Sequence, residues 1–258
     1  MITNPIGTLS LSKREILRFL SVASQTIFPP LVSSTLSMYI FGVAIGTRVD
    51  LASAGLWMSY LEFIVPGLMA MYLISSSYEN TSSSLFIARW HNHIQEVLLS
   101  PLSYFEMVLG LLAGGAARGL VVVAGVFLIA QFFVHLNIAN PFLLLYFVAT
   151  IAVIFSCAGM MAALWAEDFG MLSVWNIYVI MPMVFLGGVF YPLHVLPPAL
   201  QFFTAFNPMF YLVNGLRYSV TGFSDVSIFP CIAFAFVMAV VSFFATVYLF
   251  KIGYKLRS

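Results

Sequence analysis

The chain has 258 residues, of which 62% are hydrophobic and only 7% charged, with a net charge of +1. A soluble domain carries about 25% charged residues, so there are too few charges here to build a water-facing exterior. The near-neutral balance also argues against a nucleic-acid partner.

Residues 10–26 read as an amphipathic interfacial helix, with Leu11, Ile16 and Leu20 facing lipid while Lys13, Arg14 and Arg18 meet anionic headgroups. The stretch has no continuous apolar core and no small-residue cleavage site, so it does not read as a signal peptide. Apolar runs then recur near 27–46, 60–79, 107–133, 142–165, 171–190 and 228–250. A helix of about 20 residues, rising about 1.5 Å per residue, crosses a hydrocarbon core of roughly 30 Å. The runs lack the alternation of barrel strands. The expected fold class is all-α: a polytopic membrane protein with six transmembrane helices in one domain. Pro29-Pro30 opens the first span, where a missing N–H does no harm.

Orientation follows from the cations. Lys13, Arg14, Arg18, Arg89, Lys251, Lys255 and Arg257 all fall on one side of a six-span chain, and Arg48 and Arg217 fall on the other. The positive-inside rule places both termini in the cytoplasm. The first outer loop, near 47–59, holds Arg48 and Asp50, and the breaks at 134–141 and 166–170 are short turns.

Two connections are longer. Residues 84–100 read as one amphipathic helix at the cytoplasmic surface, stopped by Ser100-Pro101. It is either a plain interfacial anchor or a docking element for a cytoplasmic partner. Its apolar anchors are Phe86, Trp90, Ile94 and Leu98, with Arg89 and Glu96 as a charged rim. His91 and His93 are two residues apart and point to different helix faces, which disfavours a metal site. On the outer side, Pro192, Pro197, Pro198 and Pro208 divide residues 191–227 into two short helices, near 197–205 and 208–221. These are too short to span and too apolar for a solvated loop. They are expected to be re-entrant, a lid over the outward end of a pathway, with Gly187 and Gly188 turning the chain and Tyr211 and Arg217 anchoring it at the membrane surface.

Arg118 lies inside the third span, where a charge costs about 2.5–3.5 kcal/mol at the bilayer centre. Glu62, Glu79 and Glu106 are the acids within reach, and the arginine reads either as a stapling pair or as a group facing a substrate. Glycines at 110, 114, 115 and 119 permit close helix packing, within the subunit or between two copies. Cys157 and Cys231 read as small buried hydrophobes. No Ser/His/Asp or Cys/His constellation stands out, so no catalytic residue is expected. No phosphate-binding loop is present either, so any ATP hydrolysis must belong to another chain.

The run Leu186-Gly187-Gly188-Val189-Phe190-Tyr191-Pro192-Leu193, followed by Leu196-Pro197, Asn207-Pro208, Tyr211 and Arg217, resembles the signature of ABC-2 type transporter permeases. Ile94-x-Glu96-x-Leu98-x-x-Pro101 is similar to their first cytoplasmic loop, and Gly114-Gly115-x-Ala117-Arg118-Gly119 resembles the YadH-like branch. The resemblance implies the membrane subunit of an exporter in the bacterial inner membrane, engaged through residues 84–100 by an ABC ATPase in two copies. ATP and Mg would sit on that partner, and this chain would bind no cofactor itself. It also implies a second permease copy, expected as a homodimer surrounded by membrane lipids. The substrate class stays open among amphipathic, lipid-like, glycoconjugate and drug-like molecules. An ion-coupled transporter or channel and a non-transporting scaffold are the alternatives, disfavoured because only Arg118 is deep.

Overall fold

A computed structural model describes residues 4–46 and 58–255, and among these all regular structure is helical. Most of the expected first outer loop, with Arg48 and Asp50, lies outside the described residues, as does Arg257.

Helix α1 (Pro5–Ser21) begins with proline in its first turn, and the Asn4 side chain accepts the Gly7 N–H at 3.0 Å. Its buried face is Leu11, Glu15 and Phe19, repeating every four residues. The expected lipid contact of Leu11 is therefore reversed. Helix α6 (Tyr104–Ala130) receives that face through its glycines: a Cβ on Gly110 would meet Leu11 at 2.6 Å, and one on Gly114 would meet the Glu15 Cβ at 2.6 Å. Two of the four small residues on α6 thus form a groove for α1, and at Gly119 a Cβ would meet the Ser77 hydroxyl at 2.4 Å.

After a 79° bend the chain continues as α2 (Ala23–Thr26) and α3 (Phe28–Ser37), the latter running into a π-helical stretch, Met38–Ile45. Helix α4 (Tyr60–Trp90) starts with a capping box in which Ser59 and Glu62 satisfy each other's backbone N–H groups. It is the central helix: 83% of its most apolar window is buried, against 17% for α12 (Ile228–Ile252). It runs well past the expected end at 79. Residues 84–90 are its last turns and not the start of a separate helix. The expected helix over 84–100 is broken at His91–His93, where Asn92 takes φ 61°, a left-handed conformation that asparagine tolerates. A six-residue α5 (Ile94–Leu99) follows.

Helix α6 carries a second capping box, Ser103 with Glu106, and α7 (Pro141–Trp165) is capped by Asn140. The fifth apolar run is interrupted. It comprises α8 (Phe169–Trp175), a π-helical turn Asn176–Ile180 and α9 (Met181–Phe185). Pro182 has no N–H to offer the preceding turn, which accounts for the irregular ladder there. Helices α10 (Pro198–Ala205) and α11 (Pro208–Thr221) match the two short outer helices read from the prolines. By length and composition four helices (α4, α6, α7 and α12) can cross a membrane, or up to five if the bent α1–α3 pair counts as one span.

Two cores form. The larger joins the middle of α4 to α6, α7 and α11, and the smaller, at the other end, joins Leu11, Leu85, Phe86, Ile94 and Leu164. Cys157 and Cys231 are both buried and free, as their apolar settings suggested.

Candidate functional site: an exposed helix end, a charged layer and a buried arginine hub

At the end of α4 the residues expected to dock a partner divide into two sets. Phe86 and Ile94 are 2% and 4% exposed and belong to the smaller core. They cannot also fill a groove on another protein. Trp90, 57% exposed, projects from the last turn of α4 and stacks on Phe86 at 5.7 Å. The half-exposed Phe169 packs edge-on against Phe86 at 4.7 Å. Leu98 is half-buried, whereas Leu99 is 86% exposed and was not anticipated. The break at Asn92 causes this change, because it rotates α5 relative to the helix face that a continuous 84–100 helix would have shown. Arg89 is not a free rim charge: it donates to the carbonyl of Ala163, and to that of Ala166 at 3.3 Å, closing the end of α7. Glu96 is exposed beside His93. Phe86, Arg89, Trp90 and Ile94, with Gln95, Glu167 and Lys255, line a hollow of about 350 Å³. Lys255 donates to Glu167 at 2.8 Å, which holds that carboxyl below the usual glutamate range.

One layer inward lies a belt of charge. Arg118 is 6% exposed and pairs with Glu79 at 3.1 Å. The Asn176 amide donates to the other Glu79 oxygen at 3.4 Å, tying the π-helical turn to the same pair. Glu62 and Glu106, the other candidate partners, are occupied as helix caps, and Glu106 also accepts the Asn4 N–H at 2.5 Å. Beside this pair, Glu15 is 1% exposed, takes the Ser84 hydroxyl at 2.5 Å and faces Arg14 and Arg18 at 3.1 and 3.3 Å. Arg18 also donates to the side chain and carbonyl of Asn80, each at 3.0 Å. Arg18 therefore meets α4 and not lipid headgroups. The polar run Ser75–Ser84 within α4 was the signal for this layer.

On the outer side, Arg217 is 0% exposed, so the expected surface anchor is a buried hub. Its guanidinium donates to the Gly188 carbonyl at 2.5 Å and to the Phe63 carbonyl at 3.3 Å, lies 3.9 Å from the centre of the Phe63 ring, and faces Asp225 at 3.5 Å. It thereby joins α11, α4, the turn after α9 and the loop before α12. Gly188 takes φ 78°, which presents its carbonyl to the arginine. Asp225 also accepts the Leu193 N–H at 3.2 Å, and buried Asn214 accepts the Asp225 N–H at 3.1 Å. Pro192 and Pro197 precede the short 3₁₀ turn Leu193–Val195 and α10, and Gly187 packs against Met209. Tyr211 donates to the Ala205 carbonyl at 2.9 Å, bracing α10 on α11. Val213, Arg217 and Val220 occupy one helical face, so the spacing itself marked Arg217 as buried.

The chain matches the ABC-2 type transporter family over residues 7–221. The chain belongs to that family: it is a membrane permease built from apolar helices, in a class that transports across membranes. It is 36% identical to the inner membrane transport permease YadH of Escherichia coli (strain K12) over 98% of both chains. It is also 24% identical to nodulation protein J of Rhizobium leguminosarum bv. viciae over 84% of this chain and 83% of that one. Nodulation protein J of Rhizobium meliloti (strain 1021) is 23% identical, over 93% and 90%.

Proposed function

We propose that this chain is the membrane subunit of an exporter in the bacterial inner membrane, driven by ATP hydrolysis on a separate ABC ATPase. The observation that carries the reading is the cytoplasmic end of α4. There Trp90 remains exposed on an aromatic cluster with Phe86 and Phe169, beside a hollow lined by Arg89 and Lys255, and Leu99 and Glu96 are exposed on the α5 that follows. Exposed aromatic groups of this kind are favoured as anchors for a protein partner. Arg89 and Lys255 lie at the same end of the bundle, which supports a cytoplasmic position for that end and for both termini.

In this reading the bent α1–α3 segment and the interrupted α8–α9 segment supply two further spans, giving six. Two copies of the chain engage two ATPase subunits, which hold ATP and Mg. The α10–α11 hairpin covers the outward end of the pathway, and Arg217 sets its position. The cargo is an amphipathic, lipid-like, glycoconjugate or drug-like molecule taken from the cytoplasm or the inner leaflet. Co-expression with candidate ABC ATPases of the same organism, followed by affinity capture, tests the proposal. Trp90→Ala and Leu99→Asp are expected to release the ATPase while the permease still folds. Full retention of the ATPase by both variants would contradict it.

A further inference from the structure

A second hollow, of about 490 Å³, shares no lining residue with the first, although Tyr254 on its rim adjoins Lys255, which lines the first. Phe155, Ala158 and Met161 of α7 form one wall, Met238 of α12 another, and Ile180 of the interrupted segment a third. Met209 and Leu212 of α11 and Tyr78 of α4 complete the lining. The groove thus lies between α7, α12, the interrupted segment and the start of α11.

Its open end has a different character. Trp165 and Trp175 meet there edge to face at 5.9 Å, and Tyr254 completes the rim. Tryptophan and tyrosine mark the boundary between hydrocarbon and headgroups. Immediately beside them Lys255 donates to the Trp165 carbonyl at 3.2 Å and to Glu167 at 2.8 Å. Glu167 keeps 71% of its side chain exposed and Lys255 keeps 34%. Asp168, the next acid, is committed to capping α8, and Lys251 lies in the last turn of α12.

We infer that this groove holds one acyl chain of a zwitterionic phospholipid from the cytoplasmic leaflet, with its headgroup on the Lys255–Glu167 pair. The argument is one of complementarity along the groove. The volume is that of a small-molecule site, the walls are apolar, and the aromatic rim sits where an acyl chain ends. Beyond it, a cation and an exposed carboxylate stand side by side, matching a phosphate and an ammonium group. A purely anionic headgroup would satisfy Lys255 and be repelled by Glu167, and a headgroup without charge would use neither. The inference rests on reading α7, α12 and the interrupted segment as spans, but it does not depend on the ATPase.

The experiment is lipid titration of the full-length protein in detergent by native mass spectrometry, without the ATPase, so that its failure is distinct from failure of the exporter reading. Phosphatidylethanolamine, phosphatidylglycerol and diacylglycerol of matched chains are the probes. One phosphatidylethanolamine molecule is expected to bind most tightly. Ala158→Phe and, from the opposite wall, Met238→Trp should each weaken that site at least about tenfold. Lys255→Gln should weaken it about fivefold, equivalent to about 1 kcal/mol for one cation at a membrane surface. Unchanged binding in both groove-filling variants would overturn the site. Equal or tighter binding of diacylglycerol or phosphatidylglycerol would overturn the headgroup assignment. A loss of dimer without loss of lipid in Ala158→Phe would give the groove to a second copy instead.

Discussion

Arg217→Met separates a buried hub from a surface anchor more sharply than any other substitution. The methionine fills much of the space of the arginine stem, so the cavity left behind is small. What is lost is the cation facing Asp225, whose side chain is only 2% exposed, and the donors to the carbonyls of Gly188 and Phe63. Removing one member of a buried ion pair costs about 3–5 kcal/mol. Each deserted carbonyl adds up to about 1–3 kcal/mol, but the contacts share one network, so these costs overlap and do not sum. A total near 4 kcal/mol is expected, equivalent to a fall of about 8–16 °C in midpoint at about 2–4 °C per kcal/mol. Arg118→Met should cost roughly half as much, because its partner Glu79 is 48% exposed and keeps some solvation. The assay is the fraction of detergent-solubilised protein that stays monodisperse after heating. A variant Arg217→Met within about 2 °C of the parent would refute this reasoning.

Three further outcomes follow from the packing and the charges. Gly159→Ala places a Cβ 2.4 Å from the Tyr78 carbonyl, so α4 and α7 must separate; a stability loss of about 1–3 kcal/mol should appear in the same heating assay. Gly110→Leu drives into Leu11, so α1 should detach and residues 4–21 become open to limited proteolysis while the spans stay intact. Glu167 has its pKa lowered by Lys255, so whatever the pair contributes is present above the unfolded value, about 4.3, and is lost as pH falls through the lower folded value. A carbon-13 titration of labelled glutamate should find that midpoint below about 4.3 and see it rise in Lys255→Met.

Much of the architecture could be read from apolar run lengths and prolines. Pro208 opens its helix at the expected residue, Pro141 and Pro198 begin theirs within one residue of the expected starts at 142 and 197, and the two outer helices end where Phe206 and Gly222 allow. What the linear pattern hid was mostly polar. The α4 run from Ser75 to Ser84 sits beside an apolar stretch and looks like a loop, yet neighbouring helices enclose it and the helix continues to Trp90. Hydropathy averaging cannot see such shelter. The face of α1 was misassigned because Glu15 looks like a surface residue until Arg14, Arg18 and Ser84 are placed around it. Arg217 was assigned to the surface from its charge, although its spacing from Val213 and Val220 already put it on the packed face. Residues 84–100 were expected as one amphipathic helix, and the side that is exposed differs from the one their periodicity gave. A left-handed turn at Asn92 is invisible to periodicity, and it decides that Trp90 and Leu99 are outside while Phe86 and Ile94 are inside.

The central claim is that this permease works as paired copies driven by a separate ATPase seated on the end of α4. The most direct measurement is the intact mass of the complex captured with its ABC ATPase, taken for the parent and for Trp90→Ala. The account predicts two permeases with two ATPases for the parent, and free permease for the variant. A parent permease that carries no ATPase, or a one-to-one complex that still couples hydrolysis to transport, would contradict it.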